Sequence, residues 1–155
     1  MSASRAIGLS AISGLRLLSG PAFVSRAASR GRLHLDGTPL GFLSSPRLSK
    51  ALTIMALGEL VGDKLPTTPS RTALPPLLGR AVSGGLVGAA LFVSEGRQTS
   101  AGAILGAASA VIAAFAGERL RAVAGESTSV PDLLVAVAED ALVLAVGAYS
   151  LRRAR

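Results

Sequence analysis

Glu59 to Thr72 reads ELVGDKLPTTPSRT, and the reading of this stretch decides the fold. Its fourteen residues hold two carboxylates, two cations, two prolines and four hydroxyls. An apolar run leads into it from Ala51, and another leaves it from Ala73. Pro66 ends the first run near Leu65, because the residue before a proline avoids the α region. Pro75-Pro76 suits the first turn of the next helix, where a missing N–H costs nothing. Two apolar helices joined by a polar turn are therefore predicted, and the composition indicates their solvent.

Half of the 155 residues are apolar, the mean hydropathy is +0.54, and only 16% are charged. Soluble domains carry about 25% charged residues. Aromatics are 3% with no Trp, so a water-soluble core would lack its large fillers. Ala, Gly, Leu and Ser dominate, the residues that let membrane helices approach closely. The expectation is one all-α, multi-pass membrane helical bundle spanning 1–155. About four spanning helices (48–65, 73–94, 98–122 and 131–152) follow a broken N-terminal helix within 1–30.

The broken element is read from Ile7 to Leu18, apolar apart from Arg16, followed by Ser19-Gly20-Pro21. Pro21 opens a new helix with Ser19 or Gly20 as its cap, short enough to be re-entrant. The same arginine-rich, acid-free start also reads as an organellar transit peptide, and the cap favours the broken helix. Residues 31–46 read as a Gly/Pro/Ser loop containing the lone His34. In 48–65, Gly58 and Gly62 form a glycine edge beside the carboxylate edge of Glu59 and Asp63. Gly84 and Gly88, then Gly102 and Gly106, repeat the small-residue spacing of close helix crossings. Residues 118–130 read as polar, with Pro131-Asp132 opening the last helix. A short echo links Ile12–Arg16 (ISGLR) to Phe115–Arg119 (FAGER) and Ala56–Leu60 to Ala136–Asp140, the pattern of an inverted repeat.

Five charges fall inside apolar runs: Arg16, Glu59, Arg80, Glu139 and Asp140. Each costs about 3 kcal/mol near a bilayer centre on insertion scales. Pairing Arg16 and Arg80 with two of the carboxylates offsets most of that cost. The third carboxylate then needs protonation, Lys64 or Arg71. At the central turn Glu59 and Asp63 sit at the negative end of their helix, which calls for a compensating positive group. Arg71 is one candidate for Asp63. The candidate polar network is thus Arg16, Glu59, Asp63, Lys64, Arg71, Arg80, Glu139 and Asp140. It serves either as a path for a proton, ion or lipid head group, or as interhelical glue.

No catalytic residue, cofactor or metal site is expected. The usual nucleophile, phosphate-loop and zinc motifs are missing, and there is no Cys. Glu139 and Asp140 are about 100° apart on a helix and do not converge on one atom. The net charge of +7 resides at the ends of apolar runs without aromatic platforms, which disfavours nucleic acid and favours membrane lipids. A homo-oligomer is compatible with the same surface. Counting cations by side, nine against four, puts the C-terminus in the cytoplasm and the central turn outside it. The function expected is transporter- or channel-like, with a non-catalytic membrane scaffold as the alternative.

Through ELVGDKLPTTPSRT, GLRLLSGPA (Gly14–Ala22), GRAVSGGLVGAAL (Gly79–Leu91), FAGERLR (Phe115–Arg121) and PDLLVAVAED (Pro131–Asp140), the chain resembles the bacterial membrane family called domain of unknown function 4126. That resemblance implies a multi-pass integral membrane protein and no activity, and the expected location is the bacterial cytoplasmic (inner) membrane.

Overall fold

Pro21 shapes the first element. It has no N–H to give to the carbonyl four residues back, and its ring crowds that carbonyl, so a helix cannot run smoothly through Leu17. In the computed structural model, which describes residues 3–62, 72–127 and 132–152, the first helix, α1 (Ala3–Leu15), stops there. The second, α2 (Ser19–Ala28), begins after three intervening residues with Pro21 in its first turn. Four longer helices follow: α3 (Pro46–Gly62), α4 (Leu74–Val93), α5 (Thr99–Ser127) and α6 (Asp132–Arg152). A 3₁₀ turn at Gly41–Ser44 precedes α3. Among the described residues there is no strand.

The chain reverses between α1 and α2. A Cβ on Gly14 would strike the carbonyl of Ala110, and Ser10 meets Gly106, so α1 runs parallel to α5. Gly20 lies back against Ser13 and the carbonyl of Leu9. On α6, Val146 faces Gly8 of α1 while Gly147 faces the ring of Phe23 of α2. Both arms therefore meet the same end of α6, and the residues between them, Arg16–Leu18, form the tip of a helical hairpin. Ser83 of α4 touches that tip through Leu17 and is the tenth of the twenty residues of α4. The tip thus lies halfway along a helix about 30 Å long.

The core around the hairpin is aliphatic: Leu9, Ile12, Val24, Leu35, Val87 and Leu91 are all buried. Chain reversals at α2 and α4 end in the same way. Gly31 and Gly96 take φ of +70° and +66°, and Arg32 and Arg97 then donate to the carbonyls of Ala27 and Phe92, each at 2.9 Å. Those are six-to-one helix terminators, which need a left-handed residue that glycine supplies without strain. Arg97 closes its turn by stacking over the Phe92 ring, 3.7 Å from the centroid.

α4 and α5 cross as antiparallel neighbours with almost nothing between them. An added Cβ on Gly84 would come 2.6 Å from the carbonyl oxygen of Gly106, and one on Gly102 would come 2.5 Å from that of Gly88. The Cα hydrogens of each glycine therefore point at the partner's carbonyl. Such Cα–H···O contacts are worth perhaps 0.5–1 kcal/mol each. Gly58 and Gly62 behave differently. Nothing lies within 4 Å of a Cβ at either position, so they do not form the packing edge expected of them. Gly58→Ala should therefore raise stability by about 0.5–1 kcal/mol, the helix-propensity difference, in a denaturant titration.

Helix ends depart from the sequence reading in two places. α3 begins at Pro46, which tolerates the first helical position, and is described to Gly62. α5 continues through Ser127, past the expected end at 122 and into residues that read as polar. Glu, Arg, Leu and Ala are strong helix formers, and polarity alone does not stop a helix. For the same reason the FAGER echo does not carry the break seen after ISGLR, since α5 runs through it unbroken. Among the described residues, α4 and Thr99–Gly125 of α5 are long and apolar enough to cross a membrane, against the four crossings expected. At 17 residues α3 is short for a crossing, and α6 carries Glu139-Asp140 near its middle.

Candidate functional site

The hairpin tip leaves backbone groups that no helix can satisfy. Leu17 and Leu18 present N–H groups at the start of α2, and Pro21 cannot donate to the carbonyl of Leu17. Two elements supply the missing partners. The Glu59 carboxylate of α3 accepts both amides, Leu17 N at 2.6 Å and Leu18 N at 2.8 Å. From α4 the Ser83 hydroxyl donates to the carbonyl of Leu17. The anionic side chain sits at the positive end of the α2 dipole, where it is favoured.

That geometry answers the problem of a carboxylate at the C-terminal end of α3. The favourable field comes from another helix start, which the linear sequence does not announce. Arg16, the residue just before these amides, is fully buried and donates through its terminal guanidinium nitrogen to Asp140 of α6, itself 8% exposed. Taking both ions out of water costs several kcal/mol apiece, and the attraction repays it only when both stay matched. One turn before Ser83 on α4, Arg80 is also buried, and neighbouring Gly79 faces the Leu17 side chain. The tip therefore gathers residues from α3, α4 and α6 around Arg16–Leu18, halfway along the bundle.

Glu139, next to Asp140 on α6, accepts from Arg121 of α5 at 2.6 Å. Adjacent carboxylates on α6 thus meet different arginines, Asp140 meeting Arg16 and Glu139 meeting Arg121. Between α5 and α6, beside this second pair, lies a cleft of about 370 Å³. Asp63, Lys64 and Arg71, and with them any Asp63–Arg71 pair, lie outside the described residues. His34 is exposed in the loop before α3.

Three contributors were missed from sequence. Ser83 adjoins Gly84 of the expected close crossing, yet counting four residues back from Pro21 identifies the carbonyl it satisfies. Arg121 was assigned to a polar link, although α5 continues past it. Glu118 accepts from the backbone N–H of Thr72 at 3.1 Å, just before α4 begins, a second carboxylate placed at a helix start by another helix.

The family described as domain of unknown function (DUF4126) has a model that matches residues 4–152. No curated protein and no solved structure matches the chain.

Proposed function

Because the chain belongs to that family, whose description carries no activity, we propose a function from the geometry of the hairpin tip. The protein is a small multi-pass membrane protein, transporter- or channel-like, in which the tip is the polar focus of a path for a proton or small ion. The bundle sits in the bacterial inner membrane with its C-terminus in the cytoplasm and lipids as its surroundings. The single observation carrying this reading is the meeting of Arg16, Glu59 and Asp140 at a helix break halfway along the bundle. Interrupted helices with ionisable side chains at mid-depth are how membrane carriers expose backbone groups to an ion. Apolar side chains on the outer faces support lipid as the solvent, among them Ile54 (69% exposed), Ile112 (68%) and Leu142 (54%).

The alternative is a scaffold in which the same contacts only hold the hairpin shut. It is favoured by the way Glu59 bonds to backbone amides, as a helix cap does. Proteoliposomes loaded with a pH-sensitive dye and driven by a potassium diffusion potential separate the two. The path reading predicts proton entry well above that of empty vesicles. Glu59→Gln, which keeps one amide acceptor, should reduce it at least tenfold, on the order of the 10²–10⁴ that a positioned proton carrier contributes. Its elution profile should be unchanged. Background flux in the wild type, or a Glu59→Gln protein that no longer folds, supports the scaffold.

A further inference from the structure

A second cleft, of about 200 Å³, runs along α2 between α3 and α6. Its inner end is set by Ser19, the first residue of α2, and by Leu60, the neighbour of Glu59. Glu59 bonds to the hairpin tip, so this end lies at mid-depth. Leu57 and Leu144 line it and are 57% and 54% exposed, so the cleft opens sideways toward lipid. Ser25 of α2 donates to the carbonyl of Leu43, just before α3 begins, at 2.7 Å. Thus α2 leaves the tip while α3 returns to it, and their cations share one end. Arg26, which lines the cleft, is seven residues beyond Ser19, about 10 Å at helical rise. Lys50 stands one turn before the cleft-lining Thr53 on the same face of α3, nine residues and about 13 Å from Glu59. A hydrocarbon layer has a half-thickness of about 15 Å, and both side chains are long enough to reach its edge.

Charge at the outer end narrows the occupant. Arg26 and Lys50 are both exposed, and no carboxylate among the described residues is paired with either. Arg30 and Arg47, exposed as well, extend the same positive rim. Asp36 belongs to the loop between the two helices, Glu95 lies beside Arg97 at 3.7 Å after α4, and no described carboxylate lines the cleft. A cationic rim over an apolar trough is complementary to an anionic phosphate carried on acyl chains, whereas a head group with both signs would bring its ammonium against two cations. From Asp140 at the tip, α6 runs beside α2 to set Gly147 against Phe23, so this end is also that of the C-terminus. Resting on the membrane reading above, we infer that the cleft holds one anionic phospholipid of the cytoplasmic leaflet, its phosphate between Arg26 and Lys50 and an acyl chain against Leu57, Leu60 and Leu144.

The test uses the full-length protein, delipidated in detergent and titrated with phosphatidylglycerol or phosphatidylcholine of matched chains, with bound lipid counted by native mass spectrometry. Each cation contributes about a fivefold preference for an anionic lipid, so one glycerol lipid should be retained roughly thirtyfold more tightly than the choline lipid. Arg26→Gln and Lys50→Gln, both at exposed positions, should each lower that preference about fivefold and together abolish it. Thr53→Phe, at a half-buried residue lining the trough, should abolish retention, whereas Ile54→Phe on the neighbouring exposed face should not. Equal retention of the two lipids, a preference unmoved by the double variant, or retention that survives Thr53→Phe overturns the inference. Proton flux is measured separately on the same preparation, so a failed path and a failed lipid site are distinguishable.

Discussion

Asp140→Ala is expected to destabilise the protein by about 3–5 kcal/mol, the cost of stripping one partner from a buried ion pair. Arg16 is fully buried, so its guanidinium cannot turn to water when the Asp140 carboxylate is removed. The double variant Arg16→Leu with Asp140→Leu should recover most of that loss, because a matched apolar pair carries no uncompensated charge. Denaturant titrations of the singles and the double, arranged as a cycle, measure the coupling directly. Additive losses would mean that the two side chains do not depend on each other.

Gly102→Val carries the second large effect. A single Cβ there already falls 2.5 Å from the carbonyl oxygen of Gly88 and 2.7 Å from the Phe92 side chain. The first obstacle is backbone and cannot swing aside, so α4 and α5 must separate along their whole crossing. The expected loss is at least about 3 kcal/mol, the upper end for overpacking. Gly58→Ala, with open space around it, is the matched control. A Gly102→Val protein as stable as wild type would show that the helices do not cross at the four glycines.

Helix positions were largely legible in the sequence because prolines punctuate them. Pro21, Pro46 and Pro75-Pro76 each mark a start, and each does so through a missing N–H. The end of α5 was not legible, since Glu118, Arg119 and Arg121 are good helix formers that also look like a solvated link. Of the site, Arg16, Glu59 and Asp140 stood out as charges inside apolar runs. Their partners did not. Which arginine meets which carboxylate depends on how α1 folds back between α4, α5 and α6, and no local spacing encodes that. Glu59 shows the limit most clearly, because it accepts from two backbone amides, which every residue has. The ELVGDKLPTTPSRT turn announced itself most strongly in sequence, yet residues 63–71 lie outside the described structure.

Lipid exposure at the level of the hairpin tip is the claim on which the path and the buried pairs both depend. The chain has no cysteine, so Leu142→Cys accepts a single spin label two residues from Asp140, on an exposed face of α6. In liposomes its collision rates with oxygen and with a water-soluble nickel chelate report which medium surrounds it. Oxygen contact with negligible nickel contact, the signature of the bilayer interior, is the result predicted. Strong nickel contact at this position would place the tip in water and contradict the account.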